Sequence, residues 1–93
     1  MTSNSIKAIV SGKVQKVWFR ANTQKKAQEL KVVGHAINLT NGDVEVLAYG
    51  DKVQLQTLID WLHIGSEKSE VKQVAVTELA SDELAHLTSF TTG

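Results

Sequence analysis

Two short runs of alternating polarity, residues 35–40 and 44–49, meet at Asn41-Gly42, and this junction restricts the fold more than any other feature of the chain. Both residues of an Asn-Gly pair tolerate positive φ, which a tight antiparallel hairpin requires. In the first run Ile37 and Leu39 share one face, and Ala36 and Asn38 the other. In the second run Val44, Val46 and Ala48 lie on one side.

The period changes on either side of this hairpin. Residues 5–11 alternate again, with Ile6, Ala8 and Val10 on one face, and read as a first strand. After Gly12 and a polar-apolar mixture, residues 20–31 favour helix, with Ala27 and Leu30 three apart on one face. Beyond Gly50-Asp51, Leu55, Leu58, Ile59 and Leu62 follow the i, i+3, i+4, i+7 spacing of an amphipathic helix, and Gly65 suits its C-terminal cap. Val71 to Leu79 reads as a fourth strand. Ala80–His86 reads as a polar connection to a short edge strand at Leu87–Thr91. The resulting order, βαββαβ, predicts an α+β, ferredoxin-like sandwich: a mainly antiparallel sheet with two helices on one face. That fold serves enzymes, RNA binders and metal carriers alike, so chemistry must come from particular residues.

Composition narrows the classes. At 93 residues the chain has room for one small core, and 42% hydrophobic with 22% charged residues is the balance of a globular protein. Cysteine is absent, which removes disulfides, thiolate metal sites and a cysteine nucleophile, and suits a cytoplasmic home. Met1 to Ser5 lack the charged start and apolar run of a signal peptide, and no apolar stretch reaches 18 residues, so no membrane span is expected. The formal net charge is zero but uneven: seven cations face Glu29 alone in residues 1–31, whereas three lysines face nine acids afterwards. An anionic partner for the N-terminal part is one reading; a solvated lysine face is the other.

The segment 12–20 is where an anion would sit. A loop feeding a helix N-terminus aims unpaired N–H groups outward, and the helix dipole adds partial positive charge there. Arg20 stands at the helix start, where a planar guanidinium can grip two phosphate oxygens at once. Asn38, on what the alternation presents as the polar side of its strand, carries an amide that can orient a water without titrating. Locally, an ordinary surface arginine and a strand asparagine bonded to backbone would look the same. His35, His63 and His86 show no metal-ligand spacing. Trp61 reads as packing on the second helix, whereas Trp18 either packs under the loop or flanks a bound ligand.

Taken together these segments resemble a known family. Gly12-Lys13-Val14-Gln15-Lys16-Val17-Trp18-Phe19-Arg20 is similar to the acylphosphatase signature G-x-V-Q-G-V-x-F-R. Gly34-His35-Ala36-Ile37-Asn38-Leu39-Thr40-Asn41-Gly42-Asp43-Val44-Glu45 resembles that family's second segment, G-x-V-x-N-x-x-D-G-x-V-E, at the same spacing. Gly50, Trp61-Leu62 and Gly65 also fall where the family places a Gly, a helix Trp and a helix-ending Gly. The resemblance implies one acylphosphatase-like domain over residues 1–93 that hydrolyses acyl phosphates to a carboxylate and inorganic phosphate. It implies that the backbone of Gln15, Lys16, Val17, Trp18 and Phe19, with the Arg20 side chain, binds the phosphoryl group, and that Asn38 positions the water. No cofactor, metal, nucleic-acid or membrane partner is expected, and the protein is expected to work as a monomer.

The departures are specific. Lys16 stands for the family Gly, Ala36 for Val and Asn41 for Asp; His35 takes the place of an aromatic, and Ser66 follows Gly65 where Pro is usual. Only Lys16 touches the implied anion site. If the family glycine marks a positive φ, a side chain there carries a penalty of about 1–2 kcal/mol, and a relaxed loop would turn N–H groups away from phosphate and slow turnover. A phospho-ligand binding module with weakened turnover is therefore one alternative. An RNA-binding ferredoxin-like module is another, although the stacking-ring pattern of RNP1 is missing and aromatics make up only 5% of the chain.

Overall fold

The computed structural model describes residues 3–92. Met1, Thr2 and Gly93, the outermost residues of the expected domain, lie outside the described residues. The elements are β1 (Ser3–Lys13), α1 (Phe19–Glu29), β2 (Val33–Asn38), β3 (Val44–Asp51), α2 (Lys52–Ile64), β4 (Glu70–Glu78) and β5 (Phe90–Thr92). They form a five-stranded sheet of order β4-β1-β3-β2-β5, antiparallel throughout except for the parallel β2–β5 pair. The expected α+β, ferredoxin-like arrangement is therefore present, with an edge strand that starts at Phe90 instead of Leu87.

Alternation decides the covered face. Ile6, Ala8 and Val10 of β1, Val44, Val46 and Ala48 of β3 and Ala36 of β2 are buried, and pack with Leu55, Leu58 and Leu62 of α2 and with Phe19 and Ala27 of α1. The share of this core from β1, β2 and β3 is made of small and β-branched residues, so the helices seat closely on it.

Each helix ends for an identifiable reason. Asp51 caps α2, its carboxylate accepting from the Val53 N–H at 3.1 Å. Helix α1 stops at Glu29, short of the expected Lys31, because Lys31 turns left-handed at φ 58. Val32 N–H then bonds Ala27 O at 2.9 Å and Lys31 N–H bonds Gln28 O at 3.1 Å, the paired bonds of a Schellman ending.

The hairpin differs in detail from the Asn-Gly expectation. Its loop is Thr40-Asn41-Gly42, closed by Leu39 N–H to Asp43 O at 2.8 Å and Gly42 N–H to Leu39 O at 3.2 Å. Of this trio Gly42 alone takes positive φ, at 98°. Asn41 acts through its side chain, its Oδ1 accepting from the Asp43 N–H at 3.0 Å.

The connection 80–89 is more than a polar linker. It carries the chain from β4 at one edge of the sheet to β5 at the other. Ser5 holds it: the hydroxyl accepts from Leu84 N–H at 3.1 Å and donates to Ser81 O at 3.2 Å, and Leu84 is buried. Ser89 O accepts from Gly34 N–H at 3.0 Å, delivering β5 to the edge of β2. Among the described residues no helix is long and apolar enough to cross a membrane.

Gly34 and Gly42 separate two penalties. A Cβ on Gly34 would lie 1.8 Å from Leu47 O inside the sheet, whereas one on Gly42 would meet nothing within 4 Å. Gly42→Ala is expected to cost about 1 kcal/mol, from backbone strain alone. Gly34→Ala is expected to cost about 3 kcal/mol or more, because strands must part. Urea unfolding of the two variants measures the difference; equal losses would contradict it.

Candidate functional site

The covered face opens at the end where β1 leaves the sheet. A register shift in the β1–β4 ladder falls between Ser11 and Gly12, and the strand ends at Lys13. Such irregularities re-aim a strand end. Here the chain leads into residues 14–18, which alternate between anchoring and presenting. Val14 and Val17 are buried, Lys16 and Trp18 are exposed, and Phe19 is buried again as the first residue of α1.

The backbone follows the same rhythm. Lys16 and Trp18 are both left-handed, at φ 62 and φ 64. A left-handed residue followed by a helical one turns successive N–H groups toward a common point, a concavity suited to an anion. Trp18 is the N-cap of α1, and its side chain caps nothing. Its carbonyl accepts both Asn22 N–H at 3.0 Å and Asn22 Nδ2 at 2.8 Å, so the helix is wound from its first residue. The N–H groups ahead of that bond have no intrahelical acceptor. The first turn of α1 contains no acidic residue to compete for them.

These groups border a cleft of about 330 Å³. Lys16, Trp18, Phe19 and Arg20 line it, together with Val14, Ala21 and, from the far edge strand, Thr92. Arg20 is half-buried, whereas Trp18 is 76% exposed. The question of Trp18 is thereby answered: it stands at the mouth of the cleft and does not pack beneath the loop. Trp61 packs as expected, half-buried, its ring centroid 5.8 Å from that of Phe19.

Two side chains brace the loop from outside the cleft. Gln15 Nε2 donates to Leu39 O at 2.8 Å and to Asp43 O at 2.9 Å, tying the loop to the base of the β2–β3 hairpin. Ser66, buried in the turn after α2, donates its hydroxyl to Val17 O at 2.7 Å. Sequence reasoning treated Gln15 only as backbone and Ser66 only as a departure, and did not name Thr92 as a site residue. A side chain's partner 24 or 49 residues away leaves no local signal.

Asn38 sits differently from the other candidates. It ends β2, paired with Val44, which pairs with Val10 of β1. Its side chain shares the covered face with Gly34 and Ala36, not a polar face, yet it is exposed at the strand end. It does not line the cleft. Gln15 nevertheless bonds the carbonyl of its neighbour Leu39, so the strand end and the loop adjoin. The histidines stay apart: His35 Nε2 lies 3.0 Å from Glu45 Oε2, and His63 Nδ1 3.0 Å from Ile59 O. Among the described residues, no group of three or more His, Asp or Glu side chains is placed to hold a metal.

A sequence model of the Acylphosphatase family matches residues 6–92. The chain belongs to the acylphosphatase family. Acylphosphatases hydrolyse acyl phosphates, and this chain is an enzyme of that activity. An acylphosphatase of Hahella chejuensis is 49% identical over 77 residues, covering 83% of this chain and 82% of that one. One of Marinobacter nauticus is 45% identical over 83 residues, covering 89% and 90%. The structure of an acylphosphatase from Coxiella burnetii superposes with a TM-score of 0.91 at 35% identity, covering 99% of this chain and 94% of that chain.

Lys16 keeps the left-handed turn instead of relaxing out of it, so its penalty falls on stability and leaves the cradle formed. Lys16→Gly is expected to stabilise the fold by about 1 kcal/mol in urea. It also removes a cation from the cleft, so inorganic phosphate should bind more weakly at low ionic strength, with a smaller difference at high salt. An unchanged urea midpoint would show that the turn at this position is unstrained.

Proposed function

We propose that Arg20 and the backbone N–H groups of residues 15–19 hold the phosphoryl group of the acyl phosphate, and that Asn38 positions the attacking water. The observation that carries this reading is the left-handed turn at Trp18, which opens α1 with unpaired N–H groups beside the cleft that Arg20 also lines. Backbone donors and a guanidinium suit the transition state of phosphoryl transfer, whose charge is spread over three equatorial oxygens. The water oxygen bonds to phosphorus as the bond to the acyl oxygen breaks. The carboxylate departs with the electron pair, and the water's proton passes to a phosphoryl oxygen. A carboxylate is a stable anion at neutral pH, so its departure needs little acid assistance. The remaining task is positioning and charge stabilisation, and we propose that it proceeds without a metal.

Trp18 flanks the acyl group in this reading, its ring at the mouth where the substrate's organic part emerges. One chain supplies every group invoked, so a monomer suffices. A cysteine-free enzyme needs no oxidising compartment, and we place it in the cytoplasm.

Arg20 and Asn38 should fail in different ways. Arg20→Ala is expected to lower kcat/KM by at least ~10²-fold, the scale of losing one oxyanion donor, and to weaken inorganic phosphate binding in parallel. Asn38→Ala is expected to lower kcat while leaving phosphate affinity nearly unchanged. Steady-state hydrolysis of an aromatic acyl phosphate in the presence of chelator, with calorimetric titration of phosphate, makes both measurements. A folded Arg20→Ala protein with wild-type turnover would remove the assignment of the loop. Loss of phosphate binding on Asn38→Ala would move that residue into the binding shell.

A further inference from the structure

The two left-handed residues of the loop flank Val17, and the carbonyl of Val17 is where the loop is held from below. Ser66 makes that bond from a buried position, with 7% of its surface exposed, across 49 residues of sequence. Ser66 is itself fixed. Its carbonyl accepts both Ser69 N–H at 3.0 Å and Ser69 Oγ at 2.8 Å. The turn that carries it starts directly at the end of α2, where Gly65 N–H bonds Trp61 O at 2.8 Å. It also presses on the loop's anchor: a Cβ on Gly65 would stand 3.2 Å from Phe19 Cε1 and 2.3 Å from Ser69 Oγ. The hydroxyl donor is thus mounted on a rigid support.

A trans peptide is planar, with its C=O and N–H pointing in opposite directions. Once Val17 O is drawn toward Ser66 on the buried side, the N–H of Trp18 must point to the other side, onto which the cleft opens. We propose that Ser66 is a positioning residue for the phosphoryl site: its bond to Val17 O sets the peptide between the two left-handed residues so that the Trp18 N–H faces the bound phosphate. This rests on the assignment of the 15–20 loop as the phosphoryl site. The bond also opposes relaxation of a loop that carries a left-handed lysine. Without the hydroxyl, the 17–18 peptide loses the hydrogen bond that opposes its rotation, and a buried carbonyl loses its partner.

The test uses the full-length protein, inorganic phosphate and an aromatic acyl phosphate. Ser66→Ala is expected to remain folded by circular dichroism, to lower kcat/KM about tenfold, and to weaken phosphate binding by a similar factor. Placed on a Lys16→Gly background, where strain remains at Trp18 alone, the same substitution should lose threefold or less. A purely structural serine would lower the urea midpoint with equal kinetic losses on both backgrounds, and that result would overturn the proposal. So would wild-type kcat/KM and phosphate affinity in Ser66→Ala. Nuclear magnetic resonance on the unmutated protein keeps the proposal falsifiable even if Ser66→Ala does not fold. The Trp18 backbone amide proton should shift downfield on saturation with phosphate, and an unmoved resonance would refute its role as a donor. Failure of the underlying site assignment is separately visible, as wild-type phosphate binding in Arg20→Ala.

Discussion

Phe19 is buried to 1% exposure at the point where the loop, α1 and α2 converge, and the geometry of the site depends on that burial. It is the first residue of α1, so seating its ring against Trp61 pins the helix N-terminus. Its neighbours are then committed. With Phe19 inward, Trp18 projects into solvent and Arg20 lies along the cleft. Burying a valine or phenylalanine side chain contributes roughly 1.5–3 kcal/mol, and Val14, Val17 and Phe19 are all buried here. Together these exceed the roughly 1–2 kcal/mol of strain at each of the two left-handed residues between them. The loop holds a conformation that its own local preferences disfavour because its apolar positions gain more by going inward.

The same accounting explains why the charge asymmetry of the chain is only partly concentrated at the site. Of the seven N-terminal cations, Lys16 and Arg20 line the cleft. Lys25 and Lys26 lie on α1 and Lys7 on the uncovered face of the sheet, and at physiological salt exposed charges act over roughly 8 Å. In the proposed site the acyl phosphate's dianionic end meets one half-buried guanidinium and one exposed ammonium, with backbone donors between them.

The departures from the family pattern are each absorbed locally. Ala36 is fully buried where the helices seat on the sheet. His35 faces Glu45 across the β2–β3 ladder. Asn41 donates from Nδ2 to Asp43 Oδ2 at 3.1 Å, a bond that an ionised aspartate at this position could not supply. Lys16 adopts the left-handed turn, and Ser66 reaches the neighbouring carbonyl. The substitutions alter how the loop and hairpin are held while leaving Arg20 and Asn38 in their positions on the fold.

By itself the sequence determined the order of elements, the faces of β1 and β3, the apolar stripe of α2 and the family, because each depends on short-range periodicity or on motifs contained within about a dozen residues. The family glycine that Lys16 replaces stood for either a positive φ or a close backbone approach, and the backbone at residue 16 is left-handed. Tertiary structure decided what lies between those segments. The face of Asn38 was misread because the helices cover the side where β2 carries its smallest residues, so apparent polarity pointed the wrong way. Chain folding brought Thr92 to the cleft, turned Gln15 into a brace for the hairpin and set Ser66 beneath Val17. Such pairings join distant segments through single hydrogen bonds or shared walls, and no periodicity along the chain encodes them.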